Sequence, residues 1–289
     1  MKRSLKVLVA ALAVLALLTA CGTDPTTEPS TSPATNPATD PTDGENTVKP
    51  EQKVTIYIPD TMITVSPDGT EQITVQYVFE EGWQEKESFA VSVKIDDPQG
   101  ILGGEADMMD LLRFTYGERS MVQETAGMSK IETVYDENGN SILQTTTYLM
   151  ESTPYEKLEM TTTYDEFGRI VTQTNTVYTR GGTEQESVSE TITFVYTQTD
   201  TGSEGQYVVG GTVHAKMIYD AHYRLTCKST LLNGEEVTRM EQAYDEAGNL
   251  IRAINYTNGQ KVSENLYTYQ AVEVSPAFAE RMPQFNQAK

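Results

Sequence analysis

Apolar and polar residues alternate along most of the chain after residue 53, and a period of two residues is the pattern of a β-strand. One face of the first run carries Val54, Ile56 and Ile58. Similar faces follow in later runs, which are Ile73, Val75, Tyr77 and Phe79, then Phe89, Val91, Val93 and Ile95, and later Leu158, Met160, Thr162 and Tyr164. The opposite faces are rich in Thr, Gln, Glu and Lys. The pattern therefore predicts a mostly β protein whose antiparallel sheet has one wet face.

Two segments depart from this alternation. Met108 and Leu111 have the spacing of an amphipathic helix within a run of good helix formers, so a short helix is predicted over residues 104–113. Near the end of the chain, Ser275 followed by Pro276 predicts a second brief helix, because proline is favoured at the first helical position.

A frame of tyrosine, aspartate, two further residues and glycine recurs in the second half of the chain. Its residues are Tyr135, Asp136 and Gly139; Tyr164, Asp165 and Gly168; Tyr219 and Asp220; and Tyr244, Asp245 and Gly248. Aspartate suits the first position of a type I turn, and glycine suits the fourth, where the backbone is left-handed. Each copy is predicted to be a hairpin turn. The third copy has Tyr223 in place of glycine, and the same geometry is not expected there because a bulky side chain disfavours positive φ.

The spacing of these frames predicts the architecture. The tyrosine-aspartate pairs are 29, 55 and 25 residues apart, and repeats of 20–50 residues are typical of stacked supersecondary units. We predict an antiparallel β-meander of hairpins, forming one twisted or curved sheet over residues 114–274. An N-terminal β region over 53–113 forms either a small sandwich or part of the same sheet, and residues 275–289 form a C-terminal tail.

The first 20 residues have the pattern of a secretion signal. Three basic residues precede an apolar stretch from residue 7 to residue 18, which is short for a membrane span. The run Leu18-Thr19-Ala20-Cys21-Gly22 resembles a bacterial lipobox, and this resemblance implies cleavage before Cys21 and lipid attachment to it. We therefore expect a protein anchored to a bacterial membrane by lipid and exposed outside the cytoplasm, at the cell surface.

Composition shifts again after the lipobox. Six of the 12 prolines lie in residues 22–50 among Thr, Ser and Asp, so residues 21–52 are predicted to be a lipidated, disordered tether. In polyproline geometry such a segment reaches roughly 90 Å. Removing residues 1–20 leaves 18 basic against 42 acidic residues, a formal net charge of −24. Such a surface repels nucleic acid, which is excluded as a partner.

Few residues suggest a catalytic or metal-binding function. His214 is expected at an exposed strand position and His222 inside a turn, while Cys227 is expected to pack as a small apolar residue. The acidic turns at Asp136 and Asp245 lack the spacing of a calcium loop. We therefore expect no catalytic residue, no metal and no cofactor, although the number of carboxylates leaves a glycosidase-like pair open.

The turns at Tyr135, Tyr164 and Tyr244 resemble the YD repeats of bacterial Rhs-type surface proteins, and the copy at Tyr219 departs from the motif at Tyr223. The resemblance covers about half of the chain and implies a small YD-repeat surface lipoprotein. Carbohydrate binding by some longer YD-repeat proteins is the functional hint that this resemblance provides. The tyrosines themselves fit two interpretations, either structural packing across strands or an aromatic platform for sugar rings.

The leading hypothesis is a non-catalytic surface module that binds a carbohydrate or an envelope or host protein through its sheet. One alternative is an envelope scaffold or a carrier, in which a curved sheet shelters a lipid or the acyl chain of a lipoprotein. A second alternative is a hydrolase with an unrecognised carboxylate pair.

Overall fold

The computed structural model describes residues 53–100, 106–181 and 187–282, with side chains from residue 112 onward in the second range. These residues form 16 antiparallel strands in one closed barrel. The strands are β1 Val54–Val65, β2 Glu71–Phe79, β3 Ser88–Asp96, β4 Ala106–Tyr116, β5 Ser120–Thr125, β6 Ser129–Tyr135, β7 Ser141–Tyr148, β8 Tyr155–Tyr164, β9 Ile170–Thr179, β10 Val188–Thr199, β11 Gly202–Val209, β12 Thr212–Tyr219, β13 Leu225–Leu232, β14 Glu235–Tyr244, β15 Leu250–Thr257 and β16 Gln260–Val274. A 3-10 turn, Trp83–Glu85, and one α-helix, α1 (Pro276–Arg281), complete the described elements.

The barrel closes where β1 pairs with β16. Their register runs from Val54 opposite Val274 to Val65 opposite Glu264, with one bulge between Pro59 and Thr61. The predicted open sheet is therefore wrong in this respect, although the mostly β, antiparallel prediction is confirmed. The sheet closes because an open sheet would leave backbone N–H and C=O groups unpaired along both edge strands. The N-terminal strands β1–β4 belong to this same sheet and form no separate sandwich.

The predicted helix over residues 104–113 is also wrong, because Ala106–Tyr116 is strand β4. This strand pairs with β3 and β5, so its backbone groups are satisfied by neighbouring strands on both sides. Good helix propensity amounts to a few tenths of a kilocalorie per residue and is readily overridden by such tertiary pairing. The second predicted helix is present as α1. Its N-cap Ser275 accepts a hydrogen bond from the backbone N–H of Phe278 at 3.2 Å, and Pro276 occupies the first turn.

The apolar core lies on the inner face of the N-terminal strands. Val75, Phe89 and Val93 have no exposed side-chain surface. In a closed sheet without a second layer, a fully buried strand face is the inner one. The ring of Trp83 connects this face to the helix, with ring-centroid distances of 5.3 Å to Phe89 and 5.6 Å to Phe278. This part of the barrel is therefore filled by its own side chains.

The two ends of the barrel differ. The turns that follow β6, β8, β10, β12 and β14 all lie at one end, because successive antiparallel strands alternate in direction. Helix α1 follows β16 and so belongs to the same end. We call it the turn end. Within the part of the chain that the structure describes, no helix is long and apolar enough to cross a membrane.

Candidate functional site at the turn end

Four turns at this end share one arrangement around an aspartate. In the turns of Asp136, Asp165 and Asp220, one carboxylate oxygen accepts hydrogen bonds from the backbone N–H groups two and four residues later, as Asp136 does from Asn138 and Asn140 at 2.9 and 2.8 Å. In the fourth turn, Asp245 accepts a hydrogen bond from the N–H of Asn249, four residues later, at 2.8 Å. The other carboxylate oxygen binds the side chain four residues later. That side chain is Asn140, Arg169, Arg224 or Asn249. These local side-chain bonds hold the turn in shape.

The fourth residue of each turn has positive φ. Gly139, Gly168 and Gly248 have φ of 83°, 72° and 89°, as a left-handed position favours. Tyr223 adopts the same conformation with φ of 59°, and its N–H donates to the carbonyl of Asp220 at 3.0 Å. The expectation that Tyr223 breaks the turn geometry is therefore wrong. The Asp220 carboxylate makes the same bonds as in the other copies and holds the tyrosine there.

Tyrosine hydroxyls link each aspartate turn to the next hairpin. The carbonyl five residues after the aspartate accepts a hydrogen bond from a tyrosine hydroxyl on the adjacent strand. The four pairs are Tyr164 to Ser141 at 2.8 Å, Tyr196 to Ile170 at 2.9 Å, Tyr244 to Leu225 at 2.8 Å and Tyr269 to Leu250 at 3.0 Å. These tyrosines thus have structural bonds that tie neighbouring hairpins together, and we call them the linking tyrosines.

The environment of these hydroxyls changes their acidity. Burial, reinforced by the carboxylate of Asp136, raises the pKa of Tyr164 to about 12. Burial also raises the pKa of Tyr196, with the neighbouring Tyr219 adding to the effect. The neutral hydroxyl is therefore the stable form, as its role as a donor requires.

Arg169 occupies the most elaborate of the four turns. Its Nε and Nη2 both lie 2.8 Å from Oδ2 of Asp165, and its side chain is only 10% exposed. Three rings surround the guanidinium, whose central carbon lies 4.4 Å from the ring centroid of Tyr196, 4.9 Å from Phe167 and 5.4 Å from Tyr223. Nη1 is buried and has no hydrogen-bond partner within the described part of the chain. We call Arg169, Phe167, Tyr196 and Tyr223 the arginine box.

Small residues make room for the box. A Cβ on Gly205 would lie 2.9 Å from the ring of Tyr196, so glycine lets this ring approach β11 closely. The ring of Tyr219 meets that of Tyr196 edge-on at 5.7 Å. Beside them Ser203 is 1% exposed, and its hydroxyl is buried without a hydrogen-bond partner.

Below the box, the inner face of β8–β11 is only partly covered. The strand register connects fully buried Phe89 through Phe114, Gln123, Ile131 and Thr146 to Leu158 and Val177. Five inner positions of β8–β11 are apolar and half-buried, and we call them the inner strip: Leu158, Met160, Val177, Phe194 and Tyr207. By the same register, the inner face of β9 and β10 also carries polar Gln173, Asn175 and Glu190, and Ile192, which is buried. Phe194 and Tyr207 contact each other edge-on at 5.7 Å. The strip differs from the fully buried inner positions Val75, Phe89 and Val93 of β2 and β3.

The outer face is polar. Lys157 and Glu159 form an ion pair at 2.9 Å on the outer side of β8, and Tyr178 donates to the same carboxylate at 2.7 Å. Together these two donors lower the pKa of Glu159, with the tyrosine bond contributing most. A comparable pair joins Arg252 and Glu264 at 2.5 Å.

The described ranges contain other polar features besides the arginine box. A cleft of about 230 Å³ lies between α1 and the turn after β6, and its charged residues are Glu118, Arg119, Asp136, Glu137, Glu280 and Arg281. Among the described residues, no group of three or more His, Cys, Asp or Glu side chains is arranged to hold a metal ion. His214 and His222 are exposed, and Cys227 is half-buried in β13, where burial raises the pKa of its thiol.

Sequence reasoning located the four turns but missed the arginine box and the links made by Tyr196 and Tyr269. The spacing does contain a signal, because each acceptor carbonyl lies five residues after an aspartate. The predicted lipidation site, Cys21, lies outside the described residues.

Comparisons with known proteins give only distant matches. No family model and no curated protein matches the chain. A porin-like protein from Bacteroides uniformis is similar in structure, with 11% identity, a TM-score of 0.43 and coverage of 75% of this chain and 96% of that chain. A chain from Bacteroides fragilis, described as an exported protein with a YmcC-like fold, matches with 10% identity, a TM-score of 0.24 and coverage of 76% and 97%. A chain from Parabacteroides distasonis, described as a lipoprotein, matches with 9% identity, a TM-score of 0.25 and coverage of 76% and 97%.

The expected membership of the YD-repeat family is wrong. No family model matches the chain, and the frames are hairpins of a closed barrel. The physical reason for the resemblance is local. Aspartate followed three residues later by glycine is what a type I turn with a left-handed exit requires, in whatever fold the turn occurs.

Proposed function

We propose that this protein is a lipid-anchored carrier of the bacterial envelope, which shelters an acyl chain against the inner strip of its barrel. The observation that carries the proposal is a difference between two parts of the inner face. Val75, Phe89 and Val93 on β2 and β3 are fully buried, whereas the inner strip is apolar but half-buried. Apolar side chains that line a concave surface and keep contact with solvent are typical of ligand-binding surfaces.

The outer face supports a position in water beside the membrane. The pairs Lys157–Glu159 and Arg252–Glu264 lie on the outer side of their strands. A charged side chain facing hydrocarbon costs about 2 to 4 kcal/mol at the bilayer midplane. The lipobox-like run at Cys21 and the proline-rich tether would then hold the barrel near the lipid that it serves. The words exported and lipoprotein, used for two of the structural neighbours, agree with this location.

We propose a non-catalytic role because carrying an acyl chain requires only a matching apolar surface and a way in. A carrier also explains why the linking tyrosines hold the hairpins together, since the inner strip spans several of them. The binding of a carbohydrate or of an envelope or host protein stays a prediction. Its motivation is weaker, because the linking tyrosines use their hydroxyls for backbone bonds rather than for a ligand.

Photo-crosslinking of the full chain in proteoliposomes tests the carrier hypothesis. The probe is a monoacylglycerol with a diazirine on its acyl chain, and crosslinked peptides are identified by mass spectrometry. We expect labelled peptides from β8–β11. Phe194→Gln should reduce this labelling because it puts an amide in the inner strip. The matched control is Val195→Gln on the opposite face of the same strand, where Val195 is 51% exposed and the change should have no effect.

Labelling confined to the tether, or labelling that is equal in both variants, would refute the carrier function. Glycan arrays and pull-downs with the same chain address the competing hypothesis. A specific glycan bound in the absence of any crosslinking of β8–β11 would favour the surface-binding module instead.

A further inference from the structure

The arginine box contains a hydrogen-bond donor without an acceptor. The side chain of Arg169 is nine-tenths buried, and Nη1 is buried without a hydrogen-bond partner among the described residues, while Nε and Nη2 both donate to Asp165. Buried donors in native structures nearly always have partners. An exception at a position surrounded by three rings therefore indicates an acceptor that lies outside the described residues, and a bound ligand can supply it.

Tyr223 provides an independent indication. It occupies a left-handed position that holds glycine in the other three turns, and this conformation is costly for an aromatic residue. Such strain persists at functional sites, where the surroundings require that side chain. Here the ring of Tyr223 stacks on Phe167 with centroids 5.0 Å apart, and both rings lie over the guanidinium of Arg169. The two rings form a cover on one side of Arg169, and Tyr196 also lies against its guanidinium.

Charge determines the kind of acceptor. Asp165 already compensates the charge of Arg169, with contacts of 2.8 Å, and the chain as a whole is strongly acidic. An anion would approach against this field, whereas an uncharged oxygen would not. Arg169 therefore suits an ester or amide carbonyl, or a hydroxyl, better than a carboxylate or phosphate.

We propose that Nη1 of Arg169 binds the uncharged head of an acylated ligand, such as the ester group of a monoacylglycerol, with Phe167 and Tyr223 closing over it. The acyl chain then continues from Tyr196 to Phe194, which lies two residues away on the same face of β10, and on to Tyr207. This inference rests on the proposed function, because it places the head of a ligand whose chain occupies the inner strip. It adds a head-group preference that the strip alone does not provide.

Substitutions that copy the other turns make the test specific. Arg169→Asn reproduces the arrangement of Asn140 and Asn249, whose side chains bind Asp136 and Asp245 at 2.9 Å, so the turn is expected to form. Arg224→Asn is the matched control. Arg224 has the same aspartate pair, but its side chain is 25% exposed and its Nη1 already reaches the carbonyl of Asp245 at 3.4 Å.

The measurement is crosslinking of the full chain in proteoliposomes, with a diazirine monoacylglycerol and with the fatty acid of the same chain length. The unaltered protein should prefer the monoacylglycerol. Loss of one hydrogen bond to a charged donor should reduce monoacylglycerol crosslinking by about fivefold or more in Arg169→Asn and leave fatty-acid crosslinking unchanged. Arg224→Asn should resemble the unaltered protein. Tyr223→Gly, which restores the turn glycine and removes half of the cover, should speed exchange of the probe.

The outcomes separate the two proposals. If β8–β11 are labelled equally by both probes, and Arg169→Asn labels like the unaltered chain, the head-group site is refuted and the carrier function stands. If neither probe labels β8–β11 in the unaltered chain, both proposals fail. Preference for the fatty acid would overturn the assignment of an uncharged head.

Discussion

Replacing the linking tyrosines with phenylalanine removes one hydroxyl at a time from the bonds that join neighbouring hairpins. In Tyr164→Phe and Tyr244→Phe the lost bond is 2.8 Å long and ends on a backbone carbonyl at the start of the preceding strand. A hydrogen bond of this kind contributes about 0.5 to 1.5 kcal/mol net, and a carbonyl left buried without it costs about 1 to 3 kcal/mol. We expect each variant to lose about 1 to 2 kcal/mol of unfolding free energy.

The four positions differ in a way that ranks them. Tyr269→Phe should lie at the upper end, because its acceptor residue, Leu250, is only 4% exposed. Tyr155→Phe is the control, since Tyr155 is 47% exposed and the change should stay within about 0.5 kcal/mol. Urea unfolding can be followed through the single tryptophan, Trp83, which is 4% exposed in the core. If the four linking variants and Tyr155→Phe all unfold at the same urea concentration as the unaltered protein, the hydroxyl links contribute nothing and this explanation is refuted.

Three further predictions concern single features of the barrel. The pKa of Tyr164 is raised to about 12, so its contribution to the free energy of unfolding is complete below about pH 10 and is lost as the pH rises through 12. Tyr164→Phe should therefore flatten the alkaline end of the curve of unfolding free energy against pH. An unchanged curve would contradict the raised pKa. Gly202→Ala should cost more than about 2 kcal/mol, because its Cβ would lie 2.0 Å from the carbonyl oxygen of Tyr219. A Cβ on Gly210 meets nothing within 4 Å, so Gly210→Ala should cost only about 1 kcal/mol, from its positive φ. Urea unfolding measures both losses, and equal losses would refute the clash. Asp245→Ala should lose about 1 to 3 kcal/mol in urea, because both carboxylate oxygens are bonded to Asn249, and a loss below 0.5 kcal/mol would show that the turn holds without them.

Local features were predictable from the sequence, whereas closure was not. The period of two residues identifies the strands, and Ser275 with Pro276 identifies α1, because strand faces and helix caps are decided by neighbours in the chain. Pairing of Val54 with Val274 joins residues that are far apart in sequence, and no local pattern specifies it. The helix predicted over residues 104–113 is wrong for the same reason. Helix propensity depends on neighbours in the chain, whereas the pairing of β4 with β3 and β5 does not.

The candidate site shows the same division between local and distant causes. The aspartate of each turn acts within five residues, and its pattern is visible in the sequence. The arginine box depends on the stacking of Tyr223 against Phe167. Phe167 lies 56 residues earlier in the chain and two turns away at the turn end. What the sequence does show is an exception, a tyrosine where three other turns have glycine. A residue that breaks a local rule within an otherwise regular repeat is where a compensating long-range contact is expected.

The asymmetry of the inner face explains why such an exception is tolerated. The aromatic contacts of Trp83, Phe89 and Phe278 fill the part of the barrel near β1–β4, and burial of large apolar side chains there stabilises the closed sheet. The sheet can then leave the inner strip on β8–β11 half-buried, and accept strain at Tyr223 after β12, without opening. If this division is correct, weakening the filled part with Phe89→Ala should cost about 3 to 5 kcal/mol, whereas Phe194→Ala in the inner strip should cost clearly less. Equal losses of unfolding free energy at the two positions would mean that the inner strip is ordinary core. The carrier function and the head-group site at the arginine box would then both be refuted.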